Sequence, residues 1–123
     1  MSTSTKRTSR SGCPIAYTLD IVGDRWTLVI LRDMFTGKSK FGDFLSSPER
    51  ITTNVLTDRL ALLEQSGLAK KKAYQNRPLR YEYHLTEKGE ALLPVLQEMC
   101  KWANKFKPGT WTPPDSFMNR RIA

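Results

Sequence analysis

Histidine occurs once, at His84, and cysteine twice, at Cys13 and Cys100. So small an inventory argues against a disulfide-stapled secreted domain and suits a reducing compartment. It also falls short of the four Cys or His ligands that a structural zinc site usually needs. No glycine-rich phosphate loop is present, and a Ser-His-acid enzyme would have to rest on His84 alone. His84 stands in the alternating run Tyr81-Glu82-Tyr83-His84-Leu85, where a half-exposed strand residue is expected and no activated nucleophile accompanies it. The expectation is no enzyme, no metal and no cofactor. Long apolar runs are missing as well. The longest aliphatic stretch is Leu28-Val29-Ile30-Leu31, far below the roughly 20 apolar residues of a membrane span. A cytoplasmic chain without a membrane partner is expected.

Acidic residues are scarce beside basic ones: 12 Asp and Glu face 20 Lys and Arg, giving a net charge of +8 and a pI near 9.8. That balance favours a polyanionic partner, either nucleic acid or an anionic membrane surface. At 123 residues, 39% of them hydrophobic, the chain suits one domain with one modest core. So small a domain keeps much apolar surface near the outside, which makes self-association unsurprising. Residues 1–12 are rich in Ser, Thr, Lys and Arg and carry no acid. Without an apolar segment they are expected to form a disordered basic arm rather than a targeting signal.

Pro14 suits the first position of a helix, and Ile15, Leu19 and Val22 follow at helical spacing up to Gly23. Asp24 is placed to cap a second helix carrying Trp26, Val29, Ile30 and Leu31, with Gly37 closing it. Its apolar residues cover much of the circumference, so it belongs at the centre of the core. Ser39 is placed to cap a short third helix with Phe41, Phe44 and Leu45 inward, broken by Ser46-Ser47-Pro48.

The run Thr53 to Gln65 is the most informative. Thr52 is a good N-cap, and Leu56, Leu60 and Leu63 recur at i, i+4, i+7. With those leucines buried, a helical wheel turns Asn54, Asp58 and Ala61 outward, with Val55 and Thr57 on the flanks. A short polar face near the N-terminus of a helix packed by its rear is what major-groove entry requires. An ordinary amphipathic surface helix has the same periodicity. Two strand-like runs follow, Leu68 to Tyr74 and Arg80 to Leu85, joined by Gln75-Asn76-Arg77-Pro78-Leu79. This hairpin carries Lys70, Lys71, Lys72, Arg77 and Arg80 with no acid before Glu82. Lysine runs are usually just solvated, but here the charge directly follows a candidate recognition helix, where a wing would meet phosphates or the minor groove.

Thr86 and Glu87 open a last long helix that Pro94 should kink or split. Its residues Leu92, Leu93, Val95, Leu96, Met99, Trp102 and Phe106 give more apolar surface than a small winged core covers, which favours a subunit interface over folding back. Residues 107–123 contain Pro108, Gly109, Pro113 and Pro114 without periodicity and should be extended, with Trp111 or Phe117 available to dock.

Several blocks, in this order and spacing, carry a resemblance. They are Cys13-Pro14, Asp24-Arg25-Trp26-Thr27-Leu28, Phe41-Gly42-Asp43-Phe44, and the run Ile51 to Leu68 ending Leu63-Glu64-Gln65-Ser66-Gly67-Leu68. The hairpin Tyr74 to Leu85, Leu85-Thr86-Glu87-Lys88-Gly89, Pro94-Val95-Leu96 and Trp102 complete the set. Over about residues 13–106 the chain resembles the HxlR-type branch of the winged helix-turn-helix regulators, more distantly related to the MarR type. Position 25 departs from the commoner Lys, harmlessly, by being Arg. The resemblance implies a mainly α fold with a small β-hairpin: a three-helix winged core and a homodimer made by the first and last helices. It places the recognition helix at Thr53 to Gln65 and the wing at Gln75 to Arg80. Similar proteins are bacterial repressors or activators, and some sense electrophiles or oxidants through a cysteine near the N-terminus, where Cys13 stands.

Together these readings give a DNA-binding transcription regulator, expected to repress, that takes pseudo-palindromic double-stranded DNA with half-sites about one helical turn apart. Thr53, Asn54 and Thr57 are base-edge candidates, with Asn54 directed to adenine. Asp58 either accepts from a cytosine amino group or steadies the N-terminal half of its helix. Arg59, Lys71, Arg77 and Arg80 are phosphate or minor-groove candidates. Ile15, Leu19, Leu96, Met99, Trp102 and Phe106 are the dimer candidates. Cys13 sits where a helix N-terminus favours an anion, with Lys6, Arg7 and Arg10 upstream, which suits a redox or electrophile switch. The alternative for Cys13 is a small cap residue. Cys100 is expected to be a buried hydrophobe, although a Cys13–Cys100 bridge between subunits is conceivable. The operator, the target genes and any small-molecule effector stay open. A winged-helix module that binds protein rather than DNA is the alternative function, since fold alone does not fix function.

Overall fold

Local signals dictate most of the element boundaries. A computed structural model describes residues 10–122; Lys6, Arg7 and most of the expected arm lie outside the described residues. The order is α1 (Pro14–Val22), α2 (Thr27–Phe35), α3 (Phe41–Leu45), α4 (Thr53–Gln65), β1 (Ala69–Asn76), β2 (Leu79–Leu85), α5 (Glu87–Glu90), α6 (Leu93–Phe106) and α7 (Asp115–Met118). Helices packed around one antiparallel hairpin make the mainly α, winged helix-turn-helix architecture expected.

The N-cap of α2 is Trp26 rather than Asp24, which stands two residues earlier and bonds the entering turn, its Oδ2 accepting from the backbone N–H groups of Trp26 and Thr27 at 2.9 and 3.1 Å. Gly37 closes α2 with φ of +106°, a left-handed turn that suits a residue without Cβ. Gly23 differs: it ends α1 in the right-handed region, bonded to the Leu19 carbonyl at 2.8 Å. The third helix is capped by Lys40, not Ser39. The Asp43 carboxylate accepts from the Lys40 N–H at 3.2 Å, while the Ser39 carbonyl accepts from Tyr83 N–H at 2.7 Å. Pairing with the wing pulls Ser39 out of the cap position.

Helix α4 occupies the expected span, with Leu56, Leu60 and Leu63 buried beneath it. It ends on Gly67 at φ +77°, with Leu68 N–H bonded back to the Leu63 carbonyl and Gly67 N–H to that of Glu64. This reciprocal closure satisfies the last carbonyls of the helix and turns Leu68 into the core. Ile30, Leu31, Phe44, the α4 leucines and Leu93 form the centre of that core.

The hairpin is longer than expected and its turn shorter. Asn76 pairs with Leu79, so only Arg77-Pro78 forms the tip, and a bulge falls between Ala73 and Gln75. Backbone pairing carried the strands into residues that composition marks as loop. Thr86 caps the next segment, its hydroxyl accepting from Gly89 N–H at 3.1 Å. The expected split follows: α5 stops at Glu90, and Pro94 lies in the first turn of α6. Gly89 is required by proximity, because a Cβ there would meet the Leu68 carbonyl oxygen at 2.1 Å.

The tail departs from the extended form expected. Asp115–Met118 is a short helix, and Phe117 is buried against the core. Gln97 Nε2 donates to the carbonyls of Phe117 and Arg120 at 3.0 and 2.8 Å, and Arg120 donates to the Phe35 carbonyl at 2.8 Å. Phe117 docks; Trp111 remains exposed.

Candidate nucleic-acid interface

Burial of the leucine stripe leaves Thr53, Asn54, Thr57, Asp58 and Ala61 exposed along α4. Thr53, Asn54, Thr57 and Asp58 therefore share the outer side of its first turns. Thr57 donates its hydroxyl to the Thr53 carbonyl at 2.9 Å, which leaves its oxygen as an acceptor. Three side-chain links hold the turn that feeds α4. Arg32 grips Glu49 with two parallel bonds of 2.7 and 2.8 Å, and the Ser47 hydroxyl donates to the buried Asp33 carboxylate. Lys38 donates to Ser47 Oγ at 2.9 Å. The Arg32 guanidinium, bonded directly to Glu49, holds that carboxyl below its ordinary value. Such a network fixes the entry angle of the helix.

Arg59 is differently placed from the other basic candidates. Its Nε donates to Asp24 Oδ2 at 2.8 Å, tying α4 to the start of α2. It lies among partners on the rear half of the helix rather than standing free.

Lys70, Lys71, Lys72, Arg77 and Arg80 are all exposed, and among the described residues none of them forms an ion pair. Lys71 Nζ stands 4.6 Å from the centre of the Tyr81 ring, a cation–π contact that orients the ammonium without neutralising it. His84 is exposed and bonded to Glu82 at 2.8 Å. Sequence reasoning passed over two further exposed cations. Lys40 is stacked 4.4 Å from the Tyr74 ring beside the wing, and it pairs by backbone with Glu82. Arg50 stands in the turn before α4 with φ of 60°. The signal for Arg50 was its place two residues before the Thr52 cap; nothing local marks Lys40 as a neighbour of the hairpin.

Cys13 is exposed at the N-cap of α1, and its side chain makes no capping bond. Arg10 is paired with Asp20 at 2.8 Å and donates to the Ala16 carbonyl. Cys100 is half-buried, and burial pushes its thiol up.

Ile15 and Leu19 on α1 and Met99, Trp102 and Phe106 on α6 are exposed, joined by Tyr17 and Val95. Trp102 and Phe106 lie 5.6 Å apart between ring centres. Leu96 corrects the expectation: it is only 7% exposed and belongs to the core of its own chain. It faces inward because α6 turns that side toward the domain, so it is unavailable to a second subunit.

Among the described residues no helix is long and apolar enough to cross a membrane, and no cluster of three His, Cys, Asp or Glu side chains is arranged to hold a metal.

Residues 21–110 match the model of the HxlR-like helix-turn-helix family. The chain is 38% identical over 96 residues to the HTH-type transcriptional regulator YdeP of Bacillus subtilis, covering 78% of this chain and 75% of that protein. The reduced form of the redox regulator HypR superimposes with a TM-score of 0.72 at 32% identity, covering 78% of this chain and 95% of HypR. The reduced form of the transcriptional regulator YodB from B. subtilis gives 0.66 at 32% identity, covering 81% of this chain and all of YodB (100%). With an exposed polar helix face, an exposed basic wing and these likenesses, the chain belongs to the HxlR-like helix-turn-helix family of DNA-binding transcription regulators.

Proposed function

We propose that the chain is a cytoplasmic, homodimeric repressor that reads a pseudo-palindromic operator, with half-sites about one helical turn apart. The observation that carries the DNA reading is the exposed outer face of α4, Thr53 to Asp58, together with five exposed hairpin cations that form no ion pair among the described residues. Asn54, Thr53 and Thr57 meet base edges, and Asp58 accepts from a cytosine amino group or steadies its helix. Lys71, Arg77 and Arg80 meet phosphates or the minor groove, and Arg59 contributes charge from its seat beside Asp24. The regulatory unit is residues 13–106, preceded by the arm at 1–12 and followed by the tail at 107–123. Dimerisation is supported by the exposed apolar residues of α1 and α6, a patch that an isolated soluble domain rarely leaves uncovered. The accessible Cys13, and the likeness to a regulator described as redox-responsive, support a thiol switch at the start of α1.

Footprinting across genomic DNA tests the reading in one step. A protected, two-fold related site whose affinity falls steeply with salt is the expected result. Salt-insensitive or absent binding would instead favour a protein-interaction module.

A further inference from the structure

Ser47 to Arg50 forms the turn that delivers the chain into α4. Pro48 stands at its second position, and Arg50 N–H closes it on the Ser47 carbonyl at 3.0 Å. The residues on either side of Arg50 are pinned, Glu49 by the two bonds from Arg32 and Ile51 by burial in the core. Arg50 itself reverses the chain, and it does so at φ of 60°, the one positive φ outside glycine among the described residues. Glycine or asparagine adopts that conformation at little cost, whereas a longer side chain is strained in it. Nothing in the fold calls for arginine there. Its side chain is exposed, and among the described residues it forms no ion pair and no cation–π contact. The carboxylate beside it in sequence, Glu49, is lowered by Arg32 and Lys38 and not by Arg50.

We propose that Arg50 contacts the DNA backbone, holding a phosphate at the edge of the major groove that α4 enters. The proposal rests on the reading of α4 as the groove-entering helix. Arg50 precedes Thr53 by three residues, so the two Cα atoms lie within about 11 Å of each other. The major groove is about 12 Å wide. A side chain rooted that close to the helix filling the groove reaches the phosphates along its rim. A guanidinium suits that partner, because its planar fork offers a phosphate two parallel hydrogen bonds. The pinned turn adds to this. The backbone at Arg50 is fixed before DNA arrives, so only the side chain is ordered on binding. Such a contact carries no sequence information of its own. It sets the register in which Asn54 and its neighbours meet the bases.

The test measures the affinity of the full chain for a fluorescent DNA duplex of mixed sequence across a salt series. The natural chain is compared with Arg50→Asn and Arg50→Lys. Asparagine tolerates the left-handed backbone, so Arg50→Asn removes the charge without disturbing the turn. It should bind about tenfold more weakly at low salt, with the log–log slope lower by about 1. Arg50→Lys should keep the slope, because a phosphate accepts either cation. The urea midpoint of Arg50→Asn should equal or exceed that of the natural chain, since strain at this position is relieved. An unchanged slope in Arg50→Asn overturns the contact. A slope lowered equally by Arg50→Lys overturns it too, because charge is then not what the DNA meets. Where Arg50→Asn lowers the midpoint, Arg50→Gly fits the same backbone and decides the matter by its slope. Salt-insensitive binding by the natural chain would instead withdraw the groove reading of α4 and the wing, a failure distinct from that of Arg50 alone.

Discussion

Arg59 and Asp24, 35 positions apart in the chain, are joined by a 2.8 Å bond between Nε and Oδ2, and that bond ties the recognition helix to the start of α2. The same carboxylate accepts from the N–H groups of Trp26 and Thr27 and from the Thr27 hydroxyl. Burial works to raise the Asp24 carboxyl, but the bonds from Thr27, Arg59 and Trp26 outweigh it and hold it below its ordinary 3.8.

Asp24→Ala should therefore cost about 2 kcal/mol, combining lost bonds to the turn entering α2 with a lost charged hydrogen bond. Denaturant unfolding measures it. A double-mutant cycle with Arg59→Gln should show coupling of about 1 kcal/mol, and additivity would mean the pair contributes nothing. The pH dependence has a fixed sign. A carboxyl lowered on folding contributes fully above its unfolded value and loses that contribution as pH falls through the lower, folded one. The Asp24 contribution should hold at neutral pH and fade below 3.8.

The wing carries exposed positive charge at its tip, where Arg77 and Pro78 make the turn. Arg77→Ala should weaken binding to all DNA sequences alike and lower the log–log salt slope by about 1. An unchanged slope would remove Arg77 from the DNA backbone.

Asn54 stands exposed in the first turn of α4, so its amide is free to read one base pair. Asn54→Ala should cost about 1–3 kcal/mol on the operator and relax preference at a single position. Equal loss on random DNA would assign the residue to phosphate instead.

Trp102 is 68% exposed on α6 and stacked near Phe106. Trp102→Glu should give a monomer by sedimentation, with operator affinity sharply reduced. A dimer that survives the change would move the interface elsewhere on the surface.

Cys13 is accessible, whereas burial disfavours the thiolate of Cys100. Diamide should alter operator binding of the natural chain and leave Cys13→Ser unaffected. Equal responses in the two proteins would make Cys13 structural.

What the sequence determined by itself was local. Helix α4 has its bounds, its buried leucines and its outward polar face because i to i+4 neighbours and two flanking caps settle them. The break before Pro94 was legible for the same reason. Tertiary packing decided the rest. Leu96 and Met99 have the same apolar character three positions apart, yet one is in the core and the other is half-exposed, because hydropathy does not say which side of a helix its own domain will cover. Arg59 found Asp24 only when α4 crossed the start of α2. The tail shows no periodicity, so its docking came from contacts such as Arg120 to Phe35, 85 residues away. A partner at such a distance leaves no trace in local spacing.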